Sequence, residues 1–142
     1  MIDHRTAAYG ALVLRVALGM LALAHGLTKL LVFTPAGTVG FFASLGYPAF
    51  VAWFAMAAET LGGVALILGV YARVVAVIQL PILLGATLVH LPNGWMFASP
   101  NGGFEFPLFW AVALLALALI GPGAHALREL APRGAEPAPR LA

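Results

Sequence analysis

The sequence predicts an all-α fold: a four-helix bundle embedded in a lipid bilayer. Three observations carry this. Only 8% of the residues are charged and 63% are hydrophobic, whereas a soluble domain carries about 25% charged residues. The apolar residues gather into four runs close to the length of a spanning helix, about 20 residues. Between the runs stand clusters of Gly, Pro and Asn, "TPAGTVGFFASLGYP" and "PNGWMFASPNGG", which break helices and make turns.

The first run covers residues 7–33 and contains "LALAHGLTKL". Its basic start and the "ALA" at residues 22–24 resemble a signal peptide. Cleavage is not expected, because the run is too long and Arg15 interrupts it. The second run, 49–70, follows a connection in which "GFFASLG" predicts a short helix lying in the interface, with Phe41, Phe42 and Leu45 toward lipid. The third run, 72–91, follows after "GVYARV" alone, so runs two and three form a tight antiparallel pair. The fourth, 104–121, follows a turn-rich loop with Trp95 and Phe97 as interface anchors. One membrane domain over residues 1–127 is expected, then a Pro/Ala-rich disordered cytoplasmic tail over 128–142.

Four spans place both termini on one side. Arg5, Arg73, Arg128, Arg133 and Arg140 share that side, and Lys29 alone holds the other. By the positive-inside rule both termini are cytoplasmic, and nucleic acid is not an expected partner. The chain has no cysteine, so it brings no thiolate ligand of its own. No His-x-x-His or Glu-x-x-His spacing and no phosphate loop occur, so no metal or nucleotide is expected.

Polar groups inside hydrocarbon are costly and mark sites. His25 and Lys29 stand four residues apart on one helix face. His90 ends the third run and Glu105 opens the fourth, both on the same outer side. Glu59 lies ten residues beyond Ala49, hence about 15 Å deep, near the midplane. His25, Lys29, His90 and Glu105 are therefore expected to line one outward pocket with Glu59 at its floor. Glu59 below and Glu105 above would supply the counter-charge. Gln79, at mid-depth, is a further candidate ligand contact, or else interhelical glue. Arg15 is the first expected partner of Glu59, in a structural ion pair. Lys29 has the plainer alternative of snorkelling to the interface. Trp53 and Trp110 read as packing or belt residues.

The stretches "LRVALGMLALAHGLTKL", "GFFASLGYP", "AETLGGVALILGVYAR" and "GFEFPLFWAVALLALALIGPGAHAL" together resemble the DoxX family of small four-helix membrane proteins. The His-Gly-x-x-Lys element, the mid-helix Glu-x-x-Gly-Gly and the closing Gly-Pro-Gly carry the resemblance, with His90 and Glu105 matching a histidine and an acid of the family. The resemblance implies an inner-membrane protein linked to respiratory or sulfur redox chemistry, including quinone-dependent thiosulfate oxidation and redox-stress complexes with soluble partners.

Three functions follow as expectations. The first is a quinone-interacting oxidoreductase subunit without a redox centre of its own. There His25, Lys29 and His90 donate to a headgroup, Glu59 or Glu105 relays protons, and Gln79 completes the binding set. A small anion is an alternative ligand. The second is a non-catalytic scaffold subunit of a larger membrane complex. The third is a small transporter or channel, which requires a homo-oligomer.

Overall fold

The computed structural model describes residues 4–128. It contains five α-helices: α1 (His4–Leu27), α2 (Thr34–Ser44), α3 (Ala49–Leu68), α4 (Ala72–His90) and α5 (Glu105–Ile120). No strand occurs among the described residues; one isolated bridge joins Val70 and Arg128. Three helical stretches are long and apolar enough to cross a membrane, Thr6–Val32, Ala49–Leu68 and Ala72–Asn93. The fourth expected span, α5, is apolar but has only 16 residues, a length of about 24 Å. The tail beyond Arg128 lies outside the described residues, with Arg133 and Arg140.

Helix α1 packs against α3 and α5, and α4 against α5 and α3, so the four close into a ring. Leu18, Ala22, Leu66, Leu83, Leu114 and Leu117 fill its centre. The outward faces carry Val13, Leu61, Phe109 and Leu119, all exposed. That inversion suits hydrocarbon as solvent, where packing and polar contacts rather than hydrophobicity hold helices together. The closest pair is α1 and α3. A Cβ on Gly63 would lie 2.5 Å from the Leu23 nitrogen, and one on Gly19 2.8 Å from Ile67. Only glycine lets these backbones meet.

A short helix stands where one was expected, α2, which starts earlier than "GFFASLG", and Phe41, Phe42 and Leu45, expected toward lipid, line the cavity described below. Thr34 adopts φ 61°, and Pro35 stands at the N-terminal turn of α2. Proline disfavours the right-handed helical region for the residue before it, so the chain swings at Thr34 and re-enters a helix. The Thr38 hydroxyl then donates to the Lys29 carbonyl at 3.0 Å, which pins α2 to the end of α1.

One end of the ring is tied by arginines. Arg15 is 1% exposed and donates to the carbonyls of Leu66 (3.1 Å), Ile67 (3.4 Å) and Ala124 (3.2 Å). The expected Arg15–Glu59 ion pair is not formed. Arg15 instead caps carbonyls at the C-terminus of α3, where the helix dipole favours a cation. Arg73 does the same for α5, donating to Ala118 at 2.8 Å and Leu119 at 3.1 Å. The segment after α5 folds back across this end. Arg128, expected at the start of the tail, exchanges backbone hydrogen bonds with Gly69 and Tyr71, and its guanidinium lies over the Tyr71 ring. Gly123, at φ 73°, sits where a side chain would strike the Ala8 carbonyl and the Leu12 nitrogen, so Gly-Pro-Gly closes the clasp.

Candidate functional site: a polar patch in an apolar cavity

At the opposite end the ring is open. A cavity of about 740 Å³ lies between the helices, with α2 along one side. Its walls are mostly aromatic and aliphatic side chains. The polar side chains in it are His25, Lys29, Thr38, Tyr47, Glu59 and His90. His25, Lys29, His90 and Glu59, expected from the sequence to share a pocket, line this one cavity.

The local sequence explains how Lys29 is placed. The Thr28 hydroxyl donates to the Ala24 carbonyl at 2.8 Å. Such back-bonding competes with the helix ladder and bends it. From Thr28 to Val32 the helix widens into a π-turn, closed by the Phe33 amide on the Thr28 carbonyl at 3.0 Å. Lys29 stands inside that turn. Its ammonium donates to both Glu59 carboxylate oxygens, at 2.9 and 2.6 Å. The Glu59 side chain is 5% exposed and that of Lys29 20%. Close approach of α1 and α3 makes this reach feasible: beside Gly26 lies Thr60, the neighbour of Glu59, too near for any Cβ. Lys29 therefore reaches inward to a counter-ion rather than snorkelling outward.

The His25 ring stacks against Phe106 with centroids 6.1 Å apart and meets Trp110 edge-on at 5.0 Å. These aromatics fix a histidine that faces the cavity. The His90 Nδ1 lies 3.2 Å from the Gly102 carbonyl. The Asn93 side-chain amide lies 3.5 Å from the same Nδ1, so this ring nitrogen sits between an acceptor and a donor. Asn93 reinforces the loop by donating to the carbonyls of Asn101 and Gly102.

Two expected site residues stand apart. Gln79 is fully buried and does not line the cavity. Its amide donates to the Ala58 carbonyl at 3.0 Å, and it packs where Gly62 leaves room. Gln79 is interhelical glue between α3 and α4. Glu105 lies outside the cavity, in an adjoining groove, and accepts the Phe97 amide at 2.7 Å. Its carboxylate braces the α4–α5 loop instead of offsetting Lys29.

Sequence reasoning passed over the wall residues Phe106 and Gly85 and read Trp110 only as a packing or belt residue. Phe106 and Trp110 stand one helical turn apart on α5, a spacing that signals a shared face without saying that the face meets His25. Gly85, with no atom within 4 Å of a Cβ built on it, contributes empty space to the wall. Among the described residues no group of three or more His, Cys, Asp or Glu side chains could hold a metal.

Fold and site together define a multi-pass helical membrane protein with an ion pair set in a mostly apolar cavity at one end of the ring. The chain belongs to the DoxX family, whose sequence model matches residues 10–92. That stretch includes His25, Lys29, Glu59 and His90, whereas Glu105, Phe106 and Trp110 lie beyond it. A Bacillus subtilis (strain 168) protein named "Putative oxidoreductase CatD" is 36% identical over 113 residues, 79% of each chain. No solved structure matches the chain closely enough to count as a relative.

Proposed function

We propose that this protein is a quinone-interacting membrane subunit of a redox system, with the headgroup seated against the Lys29–Glu59 pair. The observation that carries the reading is the pair itself, set in the wall of a mostly apolar cavity of about 740 Å³. Ligand sites of this kind, about 300–1,000 Å³ and mostly apolar with a few convergent polar groups, take drug-sized molecules.

The pair also discriminates between ligands. The Lys29 charge is already compensated by Glu59, so a small anion would meet no net positive field. A neutral, flat ligand with acceptor oxygens fits better. Lys29 and His25 donate to its oxygens, and the His90 ring offers a further polar contact. A bound quinone would supply two-electron, two-proton chemistry. This chain's residues bind and orient the ring, exclude water, and hold a proton at Glu59 or His25. Electrons come from a partner subunit or a soluble donor. The word "oxidoreductase" in the name of the B. subtilis relative supports the redox setting.

The same reading takes α1, α3, α4 and α5 as four spans in the inner membrane, with both termini cytoplasmic. Arg15, Arg73 and Arg128 at one end of the ring support that orientation. The test is equilibrium binding of a chain-free 1,4-benzoquinone to the purified protein in mild detergent. In the fraction of the protein that remains folded, the double substitution Lys29→Met with His25→Phe should weaken binding. Unchanged binding in a folded double variant would refute the reading.

A further inference from the structure

Helix α2 is built as a self-contained unit. At its start the Thr34 hydroxyl accepts the Gly37 amide at 3.3 Å, which satisfies one of the donors that a helix N-terminus leaves open. At its end Gly46 holds φ 83°. The Gly46 and Tyr47 amides return to the Ala43 and Phe42 carbonyls, each at 3.0 Å, in a left-handed C-terminal cap. The helix packs against α3 and the π-turn. Gly37, Thr38, Phe41, Phe42 and Leu45 recur at three- and four-residue spacing, so they share one face, and that face is a wall of the cavity. Among the described residues a single side-chain hydrogen bond ties α2 to the rest of the protein. It is the bond from the buried Thr38 hydroxyl to the Lys29 carbonyl, at 3.0 Å.

We propose that α2 is a latched flap on the cavity: it pivots at its two ends, and the Thr38–Lys29 hydrogen bond holds it closed. The first pivot is Thr34. A β-branched residue is unfavourable at φ 61°, so rotation there relieves strain that the closed position holds. Rotation about this φ leaves the Thr34 cap on Gly37 intact. The second pivot is the link of Tyr47 and Pro48, which belongs to no regular element and enters α3 with Pro48 extended at ψ 153°. It lies beyond the Gly46 turn, so that cap also travels with the helix. The latch is the one polar contact that a swing must break. In a buried site no water replaces the lost acceptor of the Thr38 hydroxyl, which favours the closed position. The acceptor is the backbone of Lys29, whose ammonium holds Glu59, so flap and ion pair meet on one residue. The flap governs access and does not depend on which ligand the cavity takes.

The chain has no cysteine, so a single introduced thiol reports access. Gly85 lines the cavity on α4, with open space where a Cβ would stand. The test measures how fast a small neutral pyridyl disulfide modifies Gly85→Cys in the detergent-purified protein, relative to its rate on the exposed Phe97→Cys. Thr38→Val keeps the branched shape and removes the donor. It should raise the relative rate at Gly85→Cys about fivefold, the net worth of one hydrogen bond. Thr38→Ser keeps a hydroxyl and should hold the rate near that of the Thr38 protein. Arg15→Met loosens the other end of the ring and should leave the rate unchanged, which separates local opening from general loosening. A rate unmoved by Thr38→Val, an equal rise in Thr38→Ser, or an equal rise in Arg15→Met would each overturn the flap. The readout is thiol access and not ligand binding, so the flap and the headgroup reading fail separately.

Discussion

The Lys29 ammonium bridges both oxygens of the Glu59 carboxylate, at 2.9 and 2.6 Å. A π-turn on one helix is thereby joined to the middle of another through two charges that hydrocarbon would otherwise expel. Removing either partner leaves the other buried and alone. Lys29→Met or Glu59→Gln alone should therefore destabilise the folded protein by about 3 kcal/mol, and the double substitution by less than the sum of the two. Thermal unfolding of the three variants in one detergent measures this coupling; additive losses would contradict it.

Arg15 offers a contrasting case. It serves packing at the end of the ring opposite the cavity. Arg15→Met should lower stability by about 2 kcal/mol or more, because charge-assisted hydrogen bonds to the α3 carbonyls are lost. Gly69→Ala should act in the same direction. Its backbone holds φ 71°, and a Cβ there would collide with the Arg15 guanidinium and lie 2.6 Å from the Ala126 Cα. Quinone affinity of the fraction that remains folded should not change in either variant.

Gly85 permits the opposite experiment. It is helical, lines the cavity, and has open space in place of a side chain. Gly85→Leu should stabilise α4 by about 0.5–1 kcal/mol through helix propensity while filling the cavity. The expected outcome is a higher melting temperature with ligand binding lost. Retained binding would place the ligand elsewhere.

Topology can be read directly, since the chain has no cysteine. Phe97→Cys and Leu127→Cys introduce thiols at exposed positions on opposite ends of the ring. A membrane-impermeant maleimide applied to intact cells should label residue 97 and leave residue 127 unlabelled until the membrane is opened. Labelling of both from outside would sink the assigned orientation.

The helices are legible in the sequence because a bilayer demands long apolar runs. The run expected over 49–70 corresponds to α3 at Ala49–Leu68, and that over 72–91 to α4 at Ala72–His90. Much of the site is legible for a related reason: polar residues in such runs are few, so His25, Lys29, Glu59 and His90 stand out. Their partners are less so. Depth arithmetic sets Arg15 beside Glu59, yet it assumes a regular helix and ignores side-chain reach. The long Lys29 stem and the π-turn bring its ammonium to Glu59, and the α3 carbonyls claim Arg15. Glu105 misleads for another reason: a loop amide eight residues earlier takes its carboxylate, and nothing in the local pattern announces that loop's path.

The π-turn at Thr28–Val32 also makes this site sensitive to length. A π-turn holds more chain per turn than an α-helix, so it stores slack in a segment that could otherwise run straight on. Deleting one residue within it would let α1 continue in regular register, swing Lys29 away from Glu59, and draw Thr38 off the Lys29 carbonyl. An alignment of this segment that ignores single-residue gaps would thus pair lysines that point in different directions.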